Sequence, residues 1–392
     1  MDVFEIRERL VTEYETYIKS FVSIKDKRIQ KGVDDALQDG SLWPAPLIQL
    51  NPYFTLGKAV NDLVASGVLH SECSNIFRAG KSESSHGHSM VLHKHQTDAL
   101  EAAGRGDNYV LTTGTGSGKS LSYIIPAVDR ALKSKGKTGI KAIIVYPMNA
   151  LANSQKGELD KFLKAGYPEG REPVTYRCYT GQENQDQRQE VKSNPPDILL
   201  TNYMMLELIL TRAEEADIVK NCGDLQFLVL DELHTYRGRQ GADVSMLVRR
   251  LKIASGAKDI QIVGTSATMS TGETLAAQRK EVAEIASKIF GATVSDGNVI
   301  GETLQRMSKG RDFGSSPVID ELRQRVSCSP LQFSNDYATF AADPLVDWIE
   351  QTFGLTTNEE GSLSRTTPNS VTGEQGGGEI LSSLVGLPVK QV

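Results

Sequence analysis

The sequence predicts an α/β chain whose centre is a parallel, doubly wound sheet. Three observations carry that expectation. From residue 91 onward, short apolar runs alternate with helix-patterned stretches, the arrangement of repeated strand–helix–strand units. Two of the runs, Ile143-Ile-Val145 and Phe227-Leu-Val-Leu230, are apolar at every position, as strands covered on both faces must be. A third run, Val110-Leu-Thr112, feeds a glycine-rich turn that opens a helix-forming stretch.

Taken in order, residues 3–22 predict an amphipathic helix, because Val3, Leu10, Val11, Tyr14, Tyr17, Ile18 and Phe21 recur at three-to-four spacing. Gly32, Gly40, Pro44 and Pro46 then break the chain, and 61–69 reads as a short helix. The polar stretch 80–89 reads as a linker, so 1–90 is expected to be a helical N-terminal region. Within a domain placed at 91–292, strands are expected at 109–113, 141–146, 174–179, 197–201, 225–231 and 260–265. Helices are expected at 94–103, 119–133, 149–164, 183–192, 202–212, 240–254 and 273–290. The remainder, 293–392, reads as partly helical and loop-rich. Helical patterns lie at 298–306, 318–326 and 344–353, and 356–380 has loop composition with Gly376-Gly-Gly378.

Composition narrows the possible partners. The chain is 39% hydrophobic over 392 residues, enough for a substantial core. Its net charge of −6 supplies no general basic field, so nucleic acid would have to be held in a local groove. Cys73, Cys178, Cys222 and Cys328 lie far apart with no C-x-x-C, which fits neither a disulfide framework nor a zinc site. His70 and Cys73 have metal-like spacing, but no second pair lies near them. The N-terminus lacks the basic-then-apolar layout of a signal peptide, and no apolar run reaches membrane-spanning length. A cytoplasmic protein with no membrane partner is expected.

Two motifs carry chemistry. Thr113-Gly-Thr-Gly-Ser-Gly-Lys-Ser120 has the layout of a phosphate-binding loop, with the helix starting at Leu121 behind it. Gly114, Gly116 and Gly118 let the backbone wrap an anion, and Thr113, Thr115 and Ser117 complete the turn. Lys119 can reach the β- and γ-phosphates of ATP, and the Ser120 hydroxyl can ligate Mg²⁺. Thr113 stands where the strict pattern has glycine, so an ordinary glycine-rich turn is the competing reading. The second motif is the apolar strand ending in Asp231-Glu232. Asp231 at the strand tip can hold Mg²⁺, and Glu232 is placed to orient or deprotonate an attacking water.

At this point the chain resembles the superfamily-two DEAD/DEAH-box helicases, over 91–270. The box itself reads Asp231-Glu-Leu-His234, and Ser266-Ala-Thr268 resembles motif III. The segment Tyr146-Pro-Met-Asn-Ala-Leu-Ala-Asn-Ser-Gln155, with Pro147 and Asn149, resembles motif Ia, and Thr180-Gly181 and Thr201-Asn202 resemble two further nucleic-acid motifs. Leu92-His-Lys-His-Gln96 resembles the Q-motif region. The resemblance implies a RecA-like P-loop NTPase fold and an ATP hydrolase that works as a helicase. It implies that Gln96 reads adenine and that His234, Ser266, Ala267 and Thr268 couple hydrolysis to movement. Pro147, Asn149, Gly181, Thr201 and Asn202 would hold the nucleic-acid backbone. Arg237 and Arg239 are either a solvated loop or a further nucleic-acid contact.

Asp231-Glu-Leu-His-Thr-Tyr-Arg-Gly238 and Val299-Ile-Gly-Glu-Thr-Leu304 also resemble a prokaryotic and fungal branch of DNA helicases. Members of that branch often carry a C-terminal zinc-binding domain, and some act in DNA repair or anti-phage defence, alone or with other subunits. This sequence has no such cysteine cluster. The branch implies DNA rather than RNA as the nucleic acid. A nucleotide-dependent clamp on nucleic acid or a partner, without unwinding, is the alternative. Such helicases need a second RecA-like lobe with an arginine finger. Gln305-Arg-Met-Ser-Lys-Gly-Arg311 comes too early to be that finger. The chain therefore reads as the N-terminal part of a longer protein, poorly active alone.

Overall fold

The computed structural model describes residues 3–21, 24–38, 43, 46–82, 85–114, 116–168, 170–236, 238–257, 259–267, 274–357, 361–373 and 375–388. Two compact units make up the chain. One comprises 54–303, and the other combines 1–53 with 304–392.

The 54–303 unit is built on seven parallel strands. In chain order they are β1 (Tyr109–Thr112), β2 (Ala142–Tyr146), β3 (Tyr176–Tyr179), β4 (Ile198–Asn202), β5 (Phe227–Leu230), β6 (Gln261–Thr265) and β7 (Val299–Gly301). Across the sheet the order is β7-β1-β6-β5-β2-β4-β3. Its helices are α1 (Lys94–Arg105), α2 (Leu121–Lys133), α3 (Asn149–Leu163), α4 (Gln185–Ser193), α5 (Tyr203–Thr211), α6 (Gly238–Ser255) and α7 (Leu275–Phe290), with a short helix Ala216–Lys220 after α5. Alternate residues of each strand feed opposite cores. Ala142, Ile144 and Tyr146 join Leu100, Tyr123, Ile124 and Leu159 on one face. Ile143 and Val145 join Leu206, Leu247 and Ile289 on the other. All five residues of β2 are therefore buried, which is why the run carries no polar alternation. After β1 the chain crosses to β2, and β5 and β6 later fill the gap. The carboxyl ends of β1, β6 and β5 thus stand side by side, the position where open α/β sheets bind ligands.

Two stretches differ from the sequence expectation. Residues 298–306, expected to be helical, form β7 and the short strand Leu304–Gln305. Val299 and Ile300 pair with the outer edge of β1, and that edge and the core beneath it decide their conformation. Within 356–380, Leu355–Thr357 pairs with Leu363–Arg365, and a helix runs from Gly377 to Val385. Gly377 there is required by close packing: a Cβ on it would lie 2.4 Å from the Phe353 ring.

The sequence divides the chain at 90 and 292, whereas the compact units divide at 53/54 and 303/304. Val60, Leu63, Ile76 and Phe77 belong to the same buried cluster as Leu100 and Tyr123, which ties 54–90 to the sheet. The polar 80–89 stretch is closed by pairing of Arg78–Ala79 with His88–Ser89. His70 Nδ1 accepts from the Glu72 amide and Cys73 is buried, which is a structural role for both. Among the described residues there is no cluster of three or more metal-ligating side chains, and no helix is long and apolar enough to cross a membrane.

In the other unit, Leu322, Val326, Leu345, Trp348, Phe353, Leu381 and Val385 form a small core. The helix Val3–Phe21 forms as its periodicity predicts, yet it buries none of its residues. Arg311 is held by the fully buried Asp347 at 3.3 Å and by the Ala342 carbonyl at 2.7 Å. Those bonds give it a structural place in this core.

Candidate nucleotide-binding site

The glycine-rich loop runs from the end of β1 to the start of α2. Gly116 and Gly118 adopt φ of +79° and +72°, a region that disfavours side chains. A Cβ on Gly118 would also lie 2.7 Å from Gln96 Nε2. Thr113, standing where the strict pattern has glycine, is fully buried, and its hydroxyl shares a 2.7 Å hydrogen bond with Ser117 Oγ across the loop. The substitution therefore adds a cross-brace. The helix α1 holds the loop from beside. Gln96 Nε2 donates to the Gly118 carbonyl at 2.9 Å, while its Oε1 accepts from the His93 amide at 2.8 Å. His95 Nε2 bonds the Ser117 carbonyl at 2.9 Å, so that nitrogen carries the proton. Burial lowers the pKa of His95 below the ordinary histidine value. Leu121 opens α2 directly behind Ser120. Thr115 lies outside the described residues.

The acid pair follows β5. The Asp231 amide bonds the Val145 carbonyl, which fixes the strand tip. Thr265, at the end of β6 and fully buried, connects the two acids. Its hydroxyl donates to Asp231 Oδ1 at 2.5 Å and accepts from the Glu232 amide at 3.0 Å. Burial pushes the Asp231 carboxyl above its ordinary value, and the Thr265 bond opposes that shift. Glu232 sits at φ +54°, a strained conformation for a residue with a side chain. Leu233 beyond it packs where Gly264 leaves room: a Cβ there would lie 2.2 Å from Leu233 Cδ1.

The two motifs meet. Lys119 Nζ is buried, has no hydrogen-bond partner among the described residues, and stands 3.7 Å from Glu232 Oε1. His234 Nδ1 lies 3.2 Å from Glu232 Oε2 and 3.5 Å from Ser266 Oγ, so the acid pair touches the segment after β6. Ala267 follows Ser266, and Thr268 lies outside the described residues. A buried cation without a hydrogen-bond partner among the described residues, beside glycine-shaped backbone and two carboxylates, has the chemistry of a site for a phosphate chain with its metal. Ser120 and Asp231 supply oxygen donors of the type Mg²⁺ takes. Sequence reasoning missed Thr265, Gly264 and His95. The local signal was that Thr265 precedes Ser266 and His95 precedes Gln96; Gly264 meets Leu233 only in the fold.

The strand-end polar residues gather at β2, β3 and β4. Asn202 Nδ2 donates to Asn149 Oδ1 at 2.5 Å and to the Thr180 carbonyl at 3.0 Å. Asn202 Oδ1 caps α5 through the Met205 amide. Gly181, at φ +93°, donates its amide to Glu183. Thr201 is fully buried and its hydroxyl donates to the Tyr179 carbonyl. Pro147 precedes α3 at the end of β2. Arg239 is exposed in the first turn of α6, and Arg237 lies outside the described residues.

The family model for DEAD/DEAH box helicases matches residues 93–276. The ATP-dependent helicase HRQ1 of Saccharomyces cerevisiae is 32% identical over 160 residues, covering 41% of this chain and 14% of its own length. The uncharacterized ATP-dependent helicase YprA of Bacillus subtilis is 31% identical over 189 residues, covering 48% of this chain and 24% of its own. The chain thus spans under a quarter of each relative. A solved structure, the DEAD-box helicase Mss116 bound to ssRNA and UDP-BeF, is 18% identical with a TM-score of 0.50, over 69% of this chain and 50% of its own. That likeness concerns the fold.

Proposed function

We propose that the chain, whose residues 93–276 match the DEAD/DEAH box helicase family, is the ATP-binding and hydrolysing motor lobe of a DNA helicase or translocase. The observation that carries the reading is the buried ammonium of Lys119, without a hydrogen-bond partner among the described residues and 3.7 Å from Glu232, between the glycine loop and the acid pair. Lys119 neutralises the β- and γ-phosphates, and the loop amides hold them. Ser120 and Asp231 would hold Mg²⁺, which would supply charge neutralisation on the phosphates. Glu232 orients the attacking water and takes its proton. His234, in contact with that acid, and the Ser266 hydroxyl beside His234 pass its state to the segment after β6. Gln96, already fixed on the loop, meets adenine.

DNA is proposed as the nucleic acid because the wording of 231–238 and 299–304 resembles the DNA-helicase branch, with repair or anti-phage defence as the setting. Asn149, Asn202 and Gly181 offer a polar strand-end surface that suits a sugar–phosphate backbone, with Arg239 as an outlying cation. Arg311 is engaged by Asp347, so hydrolysis by this chain alone should be slow without an arginine from another lobe. The test of the reading is calorimetry with Mg·ATP. Wild type should bind and Lys119→Ala should show no detectable binding; undiminished binding by the variant removes the assignment of the loop.

A further inference from the structure

One more side chain reaches the glycine loop, from a part of the chain to which no motif assigns a role. The strand β7 lies along the outer edge of β1, with Gly301 paired to Thr112. The next residue, Glu302, is carried alongside the start of the loop, where its Oε2 accepts a hydrogen bond from the Gly114 amide at 3.1 Å. Its position is fixed from both sides. Val299 and Ile300 are buried in the sheet and Thr112 Oγ1 donates to the Ile300 carbonyl. Just beyond, the Thr303 carbonyl accepts from the Thr55 amide at 2.9 Å.

An amide of a phosphate-type loop therefore faces an anion that belongs to the chain itself. A charge built into this rim does two separable things. Its hydrogen bond braces the loop, and its field opposes any polyphosphate that the loop binds. The opposition scales with the ligand's charge, and a partly buried carboxylate at short range is poorly screened. A triphosphate carries one more negative charge than a diphosphate, so it meets the larger penalty.

We propose that Glu302 is a specificity-determining residue of the nucleotide site, whose carboxylate narrows the preference for ATP over ADP. This rests on the assignment of residues 113–120 as the ATP loop. Glu302→Gln keeps an oxygen able to accept from Gly114 and removes the charge. Glu302→Ala removes both charge and brace.

The experiment is calorimetric titration of wild type, both variants and Lys119→Ala with Mg·ATP and Mg·ADP, at low and high salt. The ratio of ATP to ADP affinity should rise by about three- to tenfold in both Glu302 variants, and because the carboxylate is poorly screened the rise should persist as salt increases. The ratio is insensitive to a general loosening of the loop, which would weaken both nucleotides together. A ratio unchanged or lowered in both variants overturns the proposal. Nucleotide binding that survives Lys119→Ala overturns the ATP-loop assignment instead, so the two failures are distinguishable.

Discussion

Thr265 shows how one hydroxyl disciplines a pair of acids. It satisfies Asp231 as a donor and the Glu232 amide as an acceptor, while Glu232 holds a conformation that costs on the order of 1–3 kcal/mol. Valine has the same shape and neither bond. Thr265→Val should leave a buried carboxylate and a buried amide unsatisfied, lowering stability by about 1–3 kcal/mol in urea unfolding. ATP turnover should fall by about tenfold or more, because the acids lose their fixed spacing. Thr265→Ser should stay near wild type, and equal losses in Val and Ser would show that shape rather than the hydroxyl matters. Glu232→Gln tests the chemistry directly. Nucleotide binding should persist while steady-state turnover drops by ~10²-fold or more; turnover near wild type moves the base to another residue.

At the level of elements, the acid loop is placed by a fit between β6 and the segment after β5. Gly264 has no room for a methyl against Leu233 and the Phe290 ring. Gly264→Ala should therefore cost about 1–3 kcal/mol in thermal or chemical unfolding. Gly297→Ala, with open space around it, is the control and should change little. Shortening Leu233 to alanine in the Gly264→Ala background should restore part of the loss; no restoration would mean that the clash lies elsewhere.

The same distinction between local and long-range causes explains what the sequence discloses. The glycine loop, the Asp-Glu strand tip and the first six strands are local patterns, readable from spacing and apolar runs. The seventh strand is not. Val299-Ile-Gly301 is too short to show a period, and only the edge of β1, far back in the chain, makes it a strand. Thr265, Gly264 and Glu302 were equally silent, since each has meaning only beside a residue from another motif.

For the molecule as a whole, charge sets the expectation for nucleic acid. The net charge is −6, and the strand-end candidates are short polar side chains already tied to one another. Single-stranded DNA should bind weakly and without sequence preference. The salt slope should be shallow, about −0.7 for each phosphate neutralised, with Arg239 the described cation to examine first. Salt titration against oligo-dT and mixed-sequence strands checks this, and a steep slope or strong discrimination between the two would reveal a basic or base-reading surface elsewhere. The strand order has a further consequence, for synthesis. The phosphate-loop strand β1 is flanked by β6 and β7, whose residues follow it by about 150 and 190 positions. A nascent chain emerging from the ribosome thus carries its glycine loop without neighbours for its strand until about 150 further residues have been added. Until those strands are made, β1 has no partner on either side, and its apolar residues are the kind of transiently exposed surface that favours aggregation.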